Sequence, residues 1–483
     1  MIRKVPFKFS LIFLLLLLPY FFLWQKNPYT SKDADRYFHF AISRAAIEQG
    51  KFINSLPQVE FLGWGEYFPD KEFLFHIITS TAYRIGSEHA IIITLTGIAI
   101  SIIFISFYMG NLIIGVSKAA FLIFLFFLGS PLFMLRLTYI RPHVLAIFLF
   151  SFFCFAFIKK NKFFSFLSLL LFSLSYHAFY IPIFFLFCIV LVLVLKKEQE
   201  FFPSYLLWAI SGLLIGILIN PYFPSNLIMG IEHALIALRG EDYAKLAFGQ
   251  ELIPQELGFS LRNFLPYGIL LFSAPLLFRK KTPSLELCTF FLVSVIFWVL
   301  FFKSPRAIEY AIPSSLILFF YLWKELPQNK KIINLLFFSA LIQSTNIYSY
   351  YIESKTINSV IPLLNFEKEN VQAIQSIPKK NKMETLYHCN WSIGSYILYY
   401  RPDLHFIDIL DPSFLLRKNK EIFAARELLN NGRIANPDKI LRELFHANYV
   451  ICDNPLLVKQ LSKSKNWTLL YKGNGTSYLF ALR

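Results

Sequence analysis

The stretch DADRYFHF, residues 33–40, sets two carboxylates and an imidazole directly beyond a long apolar run. Asp35 and His39 are four apart, so a helix would put them on one face, with Asp33 on an extended lead-in. A carboxylate at a membrane surface can act as a general base, or help hold a divalent cation that neutralises a phosphate leaving group. Ser31, Asp33 and Asp35 are also good N-cap residues for the helix that follows, so spacing leaves both roles open. Further along, in WGEYFPDKEFLFH, Asp70, Lys71 and Glu72 precede apolar residues, and Glu72 and His76 are again four apart. A carboxylate and a histidine on one helical face can orient one another or share a metal, whereas a solvated ion-pair edge is the duller reading.

A second set is basic. Arg141 and His143 flank Pro142 at the end of an apolar run, Arg136 lies just before them, and His177 follows Tyr176 at the end of another. In SPRAIEYAIP, Arg306 and Glu309 are three apart and suited to pair. Arginines near an interface commonly snorkel. Gathered together, however, Arg136, Arg141, His143, His177 and Arg306 can receive a phosphate or pyrophosphate at the level of lipid head groups.

The elements that must position these residues follow from composition. Of 483 residues 56% are hydrophobic and 16% charged, and the mean hydropathy is +0.52, which places most of the chain outside the water-soluble class. The net charge of +17 sits in short clusters between apolar runs, which is how orientation signals are distributed and not how a nucleic-acid surface looks. About eleven runs are long enough to be read as spans: 9–24, 89–114, 118–135, 142–158, 163–178, 180–195, 203–220, 263–278, 285–302, 308–323 and 332–347. Alternate connections carry IRK, VSK, KKNK, KKEQE, RKKT and KELPQNKK, which predicts a cytoplasmic N-terminus and an uncleaved first span. The loop at 25–88, the loop at 221–262, RLTYIRPH, SYHAFY, KSPRAIEY and the tail then all fall on the outer side. Every residue singled out above converges there.

The chain therefore reads as a polytopic α-helical bundle over 1–347, followed by an extracytoplasmic α/β domain over 348–483. In the tail, strand-like TLYHC, LHFIDI, NYVIC and WTLLYK alternate with helix-like segments around SIGSYILYY, EIFAARELL, DKILRELF and NPLLVKQLSK. Cys389 and Cys452 lie there and can pair in an oxidising compartment, while Cys154, Cys188 and Cys288 read as small apolar core residues. No P-loop or dinucleotide fingerprint is present, so nothing supports ATP-driven transport.

The layout resembles the C-type (GT-C) membrane glycosyltransferases, which use polyprenyl-phosphate or polyprenyl-diphosphate sugars. DRYFHF, 35–40, resembles the Asp-Pro-aromatic-Phe-Asn-Tyr stretch of oligosaccharyltransferase catalytic subunits, which implies Asp35 as the catalytic carboxylate, with His39 in place of the asparagine. RAIEY followed by Pro313 is similar to an Arg-x-x-Glu-Tyr pattern of bacterial relatives and implies Arg306 at the donor phosphate. NWSIGSY, 390–396, resembles their Trp-Trp-Asp-x-Gly acceptor motif through Trp391, Gly394 and Tyr396, but Asn390 and Ser392 depart from it. That departure argues against sequon-directed N-glycosylation. The second outer loop carries RPH where the family has an acidic pair, which leaves Asp35, Asp70 and Glu72 as carboxylates for a divalent cation such as Mg or Mn.

The resemblance implies transfer of a sugar from a polyprenyl-linked donor to an extracytoplasmic glycan, lipid or protein acceptor, in a bacterial inner membrane. Asp35 and His39 would be catalytic, and Arg141, His143, His177 and Arg306 would meet the donor phosphate. Asp70, Glu72 and His76 would serve acceptor or metal, and the tail motif the acceptor side. Two rivals use the same residues differently: a transporter or flippase of a lipid-linked intermediate, and a non-catalytic assembly factor.

Overall fold

The structure, a computed structural model, describes residues 33–196, 202–238, 254–278, 283–325, 357–380, 383–474 and 477–483. The helical part begins with α1 (Asp35–Gln49), a 3-10 turn (Pro57–Leu62), α2 (Phe73–Ile114), α3 (Val116–Leu128), α4 (Pro131–Leu137), α5 (Pro142–Ile158) and α6 (Lys162–Ser175). It continues with α7 (Tyr180–Lys196), α8 (Phe202–Leu218), α9 (Ser225–Leu238), α10 (Leu257–Phe278), α11 (Leu285–Lys303), a turn at Pro305–Ala307 and α12 (Ile308–Glu325).

By length and composition α2 and α11 are able to cross a bilayer, and α4 with α5, bent by 109°, make a third if taken as one span. The expected count of about eleven is not reached on this criterion among the described residues. The runs at 9–24 and 332–347 lie outside them, and α6, α7 and α8 have 14, 17 and 17 residues. Seventeen residues rise only about 25 Å as a helix, short of a hydrocarbon layer of about 30 Å. Two boundaries also move for local reasons. The run at 118–135 is split because Pro131 lacks an N–H and opens a new helix behind non-helical Ser130. The run at 89–114 starts earlier, at Phe73, and is kinked where Gly86 and Ser87 leave helical geometry.

Within the bundle, α6 and α8 meet through glycines. A Cβ at Gly212 would lie 2.2 Å from the Phe166 carbonyl oxygen, and one at Gly216 would lie 2.1 Å from Ser173 Oγ. Bare backbone on α8 is what allows that approach. Between α11 and α12, Trp298 Nε1 donates to Ser315 Oγ at 2.9 Å, and the rings of Phe297 and Tyr310 are 5.5 Å apart.

The tail comprises α13 (Ile357–Ser376), β1 (Glu384–His388), α14 (Ile393–Tyr400), β2 (Leu404–Phe406), α15 (Ser413–Lys418), α16 (Lys420–Asn430), α17 (Pro437–Glu443), β3 (Ala447–Cys452), α18 (Pro455–Lys463), β4 (Trp467–Lys472) and β5 (Tyr478–Leu482). The sheet runs β2-β1-β3-β5-β4; β1 is parallel to both β2 and β3, and β5 is antiparallel to β3 and β4. Central Leu386, Val450 and Ile451 are fully buried, as strands covered on both faces require. A disulfide joins Cys389 to Cys452 at the ends of β1 and β3. Contacts divide the described residues into two compact units, one with 71–75 and those between 92 and 325, the other with 33–70, 76–91 and those from 357 onward. In the second, first-loop rings pack on tail rings, Trp64 against Phe414 at 5.2 Å and Phe61 against Phe445 at 5.9 Å.

Candidate functional site

Helix α1 forms where the acidic stretch was expected to start a helix, and Asp35 occupies its first turn. The residue before it, in the N-cap position, is Ala34, which has no polar side chain to cap the helix. Asp35 is half-buried and Asp33 buried. From Tyr37 to Ser43 every residue of α1 is buried, apolar or not, so the helix begins surrounded by protein rather than lying on a surface.

His39, one turn after Asp35, is 3% exposed. Its Nδ1 lies 2.9 Å from Nε2 of His76, and Nδ1 of His76 lies 2.7 Å from Asp70 Oδ2. An ionised Asp70 can only accept, so His76 Nδ1 carries its proton, and a neutral His76 turns the lone pair on Nε2 toward His39. One turn along, the hydroxyls of Ser43 and Thr79 bond at 2.8 Å, which pins α1 along the start of α2. Glu72 is the residue at the N-cap position of the helix on which His76 stands. Two imidazoles, one of them oriented by a carboxylate, make a donor pair suited to a zinc-like cation. Of the carboxylates expected to hold a cation, Asp70 is joined to the histidine pair through His76.

The basic residues divide. In the helical unit a cavity of about 310 Å³ has apolar walls that include Phe184, Phe297 and Leu300. Its polar lining includes His177, Lys303, Arg306 and Tyr310. Tyr310 is 2% exposed, and its hydroxyl has no hydrogen-bond partner among the described residues. Arg306 stands on the turn between α11 and α12. Glu309, expected to pair with Arg306, accepts from Nε of buried Arg136 at 2.7 Å. Glu72 lies 3.6 Å from His177 Nδ1 and 3.9 Å from Lys71. Arg141 and His143 are not in the cavity lining: Arg141 lies 5.2 Å from the Tyr139 ring as a cation–π pair, and His143 Nε2 is 2.8 Å from the Arg136 carbonyl oxygen.

In the tail, Trp391 is half-buried beside α14, on which Gly394 and Tyr396 stand. A Cβ on Gly394 would lie 2.2 Å from the Asp408 carbonyl oxygen, so only glycine lets α14 lie against the segment after β2. Tyr396 is 3% exposed and packs its ring 5.1 Å from that of Tyr37 on α1. Sequence spacing did not disclose this contact, nor that of His39 with His76, because each joins segments far apart in the chain.

No family model matches the chain, and no curated protein matches it in sequence. Solved structures do match in fold. The crystal structure of ArnT from Cupriavidus metallidurans bound to undecaprenyl phosphate aligns with a TM-score of 0.59 at 12% identity, covering 99% of this chain and 98% of that one. The apo state of the same protein gives 0.59 at 13% identity, with 98% of each chain covered. The Archaeoglobus fulgidus oligosaccharyltransferase in complex with Zn and sulfate gives 0.51 at 12% identity, covering 92% of this chain and 69% of that one. The chain thus has, over nearly its full length, the fold of GT-C glycosyltransferases, the class that its motifs resemble.

Proposed function

We propose that this protein is a membrane glycosyltransferase that moves a sugar from a polyprenyl-phosphate or polyprenyl-diphosphate donor to an acceptor outside the cytoplasm. Fold alone does not fix chemistry. The observation that carries the reading is the cavity: apolar walls suit an isoprenoid, and Arg306, Lys303 and the Tyr310 hydroxyl along it suit the phosphate. That one neighbour in fold was solved with undecaprenyl phosphate supports the same donor class here.

Asp35 is the catalytic carboxylate. It takes a proton from the acceptor hydroxyl, or orients it, as that oxygen attacks the anomeric carbon and the lipid phosphate leaves with the bonding pair. A single in-line displacement inverts the anomeric centre. Arg306 and Lys303 receive the charge that develops on the phosphate. His39 and His76 would hold a divalent cation, with Asp70 fixing the His76 tautomer; when bound, such a cation neutralises developing negative charge. Two imidazoles favour zinc over the Mg or Mn that carboxylates alone would select. The tail selects the acceptor or completes the site. The protein works in a bacterial inner membrane with its N-terminus in the cytoplasm and its tail outside.

The cavity is tested by photo-crosslinking with a benzophenone-bearing polyprenyl phosphate in nanodiscs. Labelled peptides should map to α7 and α11, and Arg306→Ala should weaken competition by unlabelled polyprenyl phosphate about tenfold or more. Labelling away from the residues that line the cavity, or competition unaffected by Arg306→Ala, would contradict the assignment.

A further inference from the structure

The residues around the start of α1 have a feature that catalysis by Asp35 does not itself call for. Arg36 and Tyr37, the two residues after Asp35, both bond to one tail carboxylate. Tyr37 Oη donates to Glu367 Oε1 at 2.5 Å, and Arg36 Nη2 reaches the same oxygen at 2.9 Å and Tyr37 Oη at 2.8 Å. Glu367 and Arg36 are 18% and 19% exposed in their side chains, so this ion pair is largely shielded from water. Around it stand the rings of α14: Tyr396, Tyr399 and Tyr400 lie 5.1, 5.4 and 5.5 Å from the Tyr37 ring. Two turns along, Arg44 donates to the Tyr399 carbonyl oxygen at 2.7 Å and lies 4.9 Å from its ring. Tyr399 in turn bonds through its hydroxyl to Glu88. Burial keeps the Tyr37 phenol protonated far above the ordinary range, so it remains a donor to Glu367 at any physiological pH.

We infer that Tyr37 and Glu367 are positioning residues: the tail braces the first turn of α1 and thereby fixes the Asp35 carboxylate, a role that rests on the reading of Asp35 as catalytic. Tyr396, expected on the acceptor side, stands in this brace. Aromatic rings restrict the lateral placement of the helix, and the shared carboxylate oxygen fixes its rotation about its own axis. Both matter because a general base displaced by about 1 Å loses rate on the order of a hundredfold.

The test uses the full chain in nanodiscs with a labelled undecaprenyl-phosphate sugar pool. Tyr37→Phe keeps the ring and removes the hydroxyl; Glu367→Gln keeps the shape and removes the charge. Each should lower kcat roughly ten- to hundredfold with little change in KM for the donor. Neither should lower activity further once Asp35 is Asn, since both act through that residue. Hydrogen exchange over residues 33–43 should quicken in each variant, and this readout needs no activity. Unchanged exchange in both variants would overturn the brace, as would losses that multiply with that of Asp35→Asn. Quickened exchange together with full activity of Asp35→Asn would instead overturn the reading of Asp35, and with it the positioning role, while leaving the contact itself established.

Discussion

At the scale of single residues, the chain assembles a histidine pair whose parts were visible separately. Asp35 with His39, and Glu72 with His76, each showed the four-residue spacing of one helical face. What spacing could not show is that His39 and His76, 37 positions apart, meet at 2.9 Å, or that Asp70 turns back onto His76 rather than facing outward. Asp70 therefore acts on the pair through a tautomer. Asp70→Asn keeps the side chain's size but can present an amide N–H to His76 Nδ1, which favours the tautomer protonated on Nε2 and removes the lone pair there. Zinc bound by purified protein, measured by mass spectrometry against competing chelator, should weaken about 10- to 100-fold in this variant. Unchanged zinc affinity would contradict the donor set. Spacing likewise did not show that Arg141 sits beside the Tyr139 ring, or that His143 lies beside the Arg136 carbonyl.

Among the elements, helices and strands were legible where a strong pattern ran for several residues. TLYHC, NYVIC and WTLLYK coincide with β1, β3 and β4. The strand β5 was missed because YLFAL is short and lacks alternation, yet it completes the sheet between β3 and β4. The tail motif was legible as a motif but not as packing. Gly394→Ala should strain the contact with Asp408, and proteolysis of the folded protein should show a loss of about 1–3 kcal/mol. Beneath the same strand, buried His388 lies 3.5 Å from Asp408, which also pairs with Arg426 at 3.0 Å. Burial lowers the His388 pKa below its ordinary value, against the pull of Asp408. The unfolded chain then binds a proton near pH 6.5 that the folded tail refuses, so stability is full above about pH 6.5 and falls as pH drops below it. Asp403 and Asp438, held below the usual carboxylate range, contribute losses only near pH 4 and under. Pulse proteolysis should therefore cut the tail faster at pH 5.5 than at 7.5, with the difference reduced in His388→Gln. Equal rates at both pH values would contradict the assignment.

For the molecule as a whole, the class of fold was legible from composition and three short motifs, because a bilayer restricts what so apolar a chain can form. Helix boundaries were less so, because hydropathy reports apolar runs while Pro131 and the Gly86–Ser87 kink decide where helices stop. Orientation has its own test in the Cys389–Cys452 disulfide, since such a bond persists in an oxidising compartment. In cells, both cysteines should resist a maleimide probe until a reductant is added, and tags near residues 160 and 280 should report cytoplasm; labelling without reductant would place the tail inside. The central claim is that Asp35 drives release of a sugar from a polyprenyl-linked donor. Its most direct test is turnover of a labelled undecaprenyl-phosphate sugar pool by purified protein and by Asp35→Asn, inserted and folded alike. The expected result is free lipid phosphate from the wild type and a loss of roughly a hundredfold or more in the variant; equal turnover in the two proteins would contradict it.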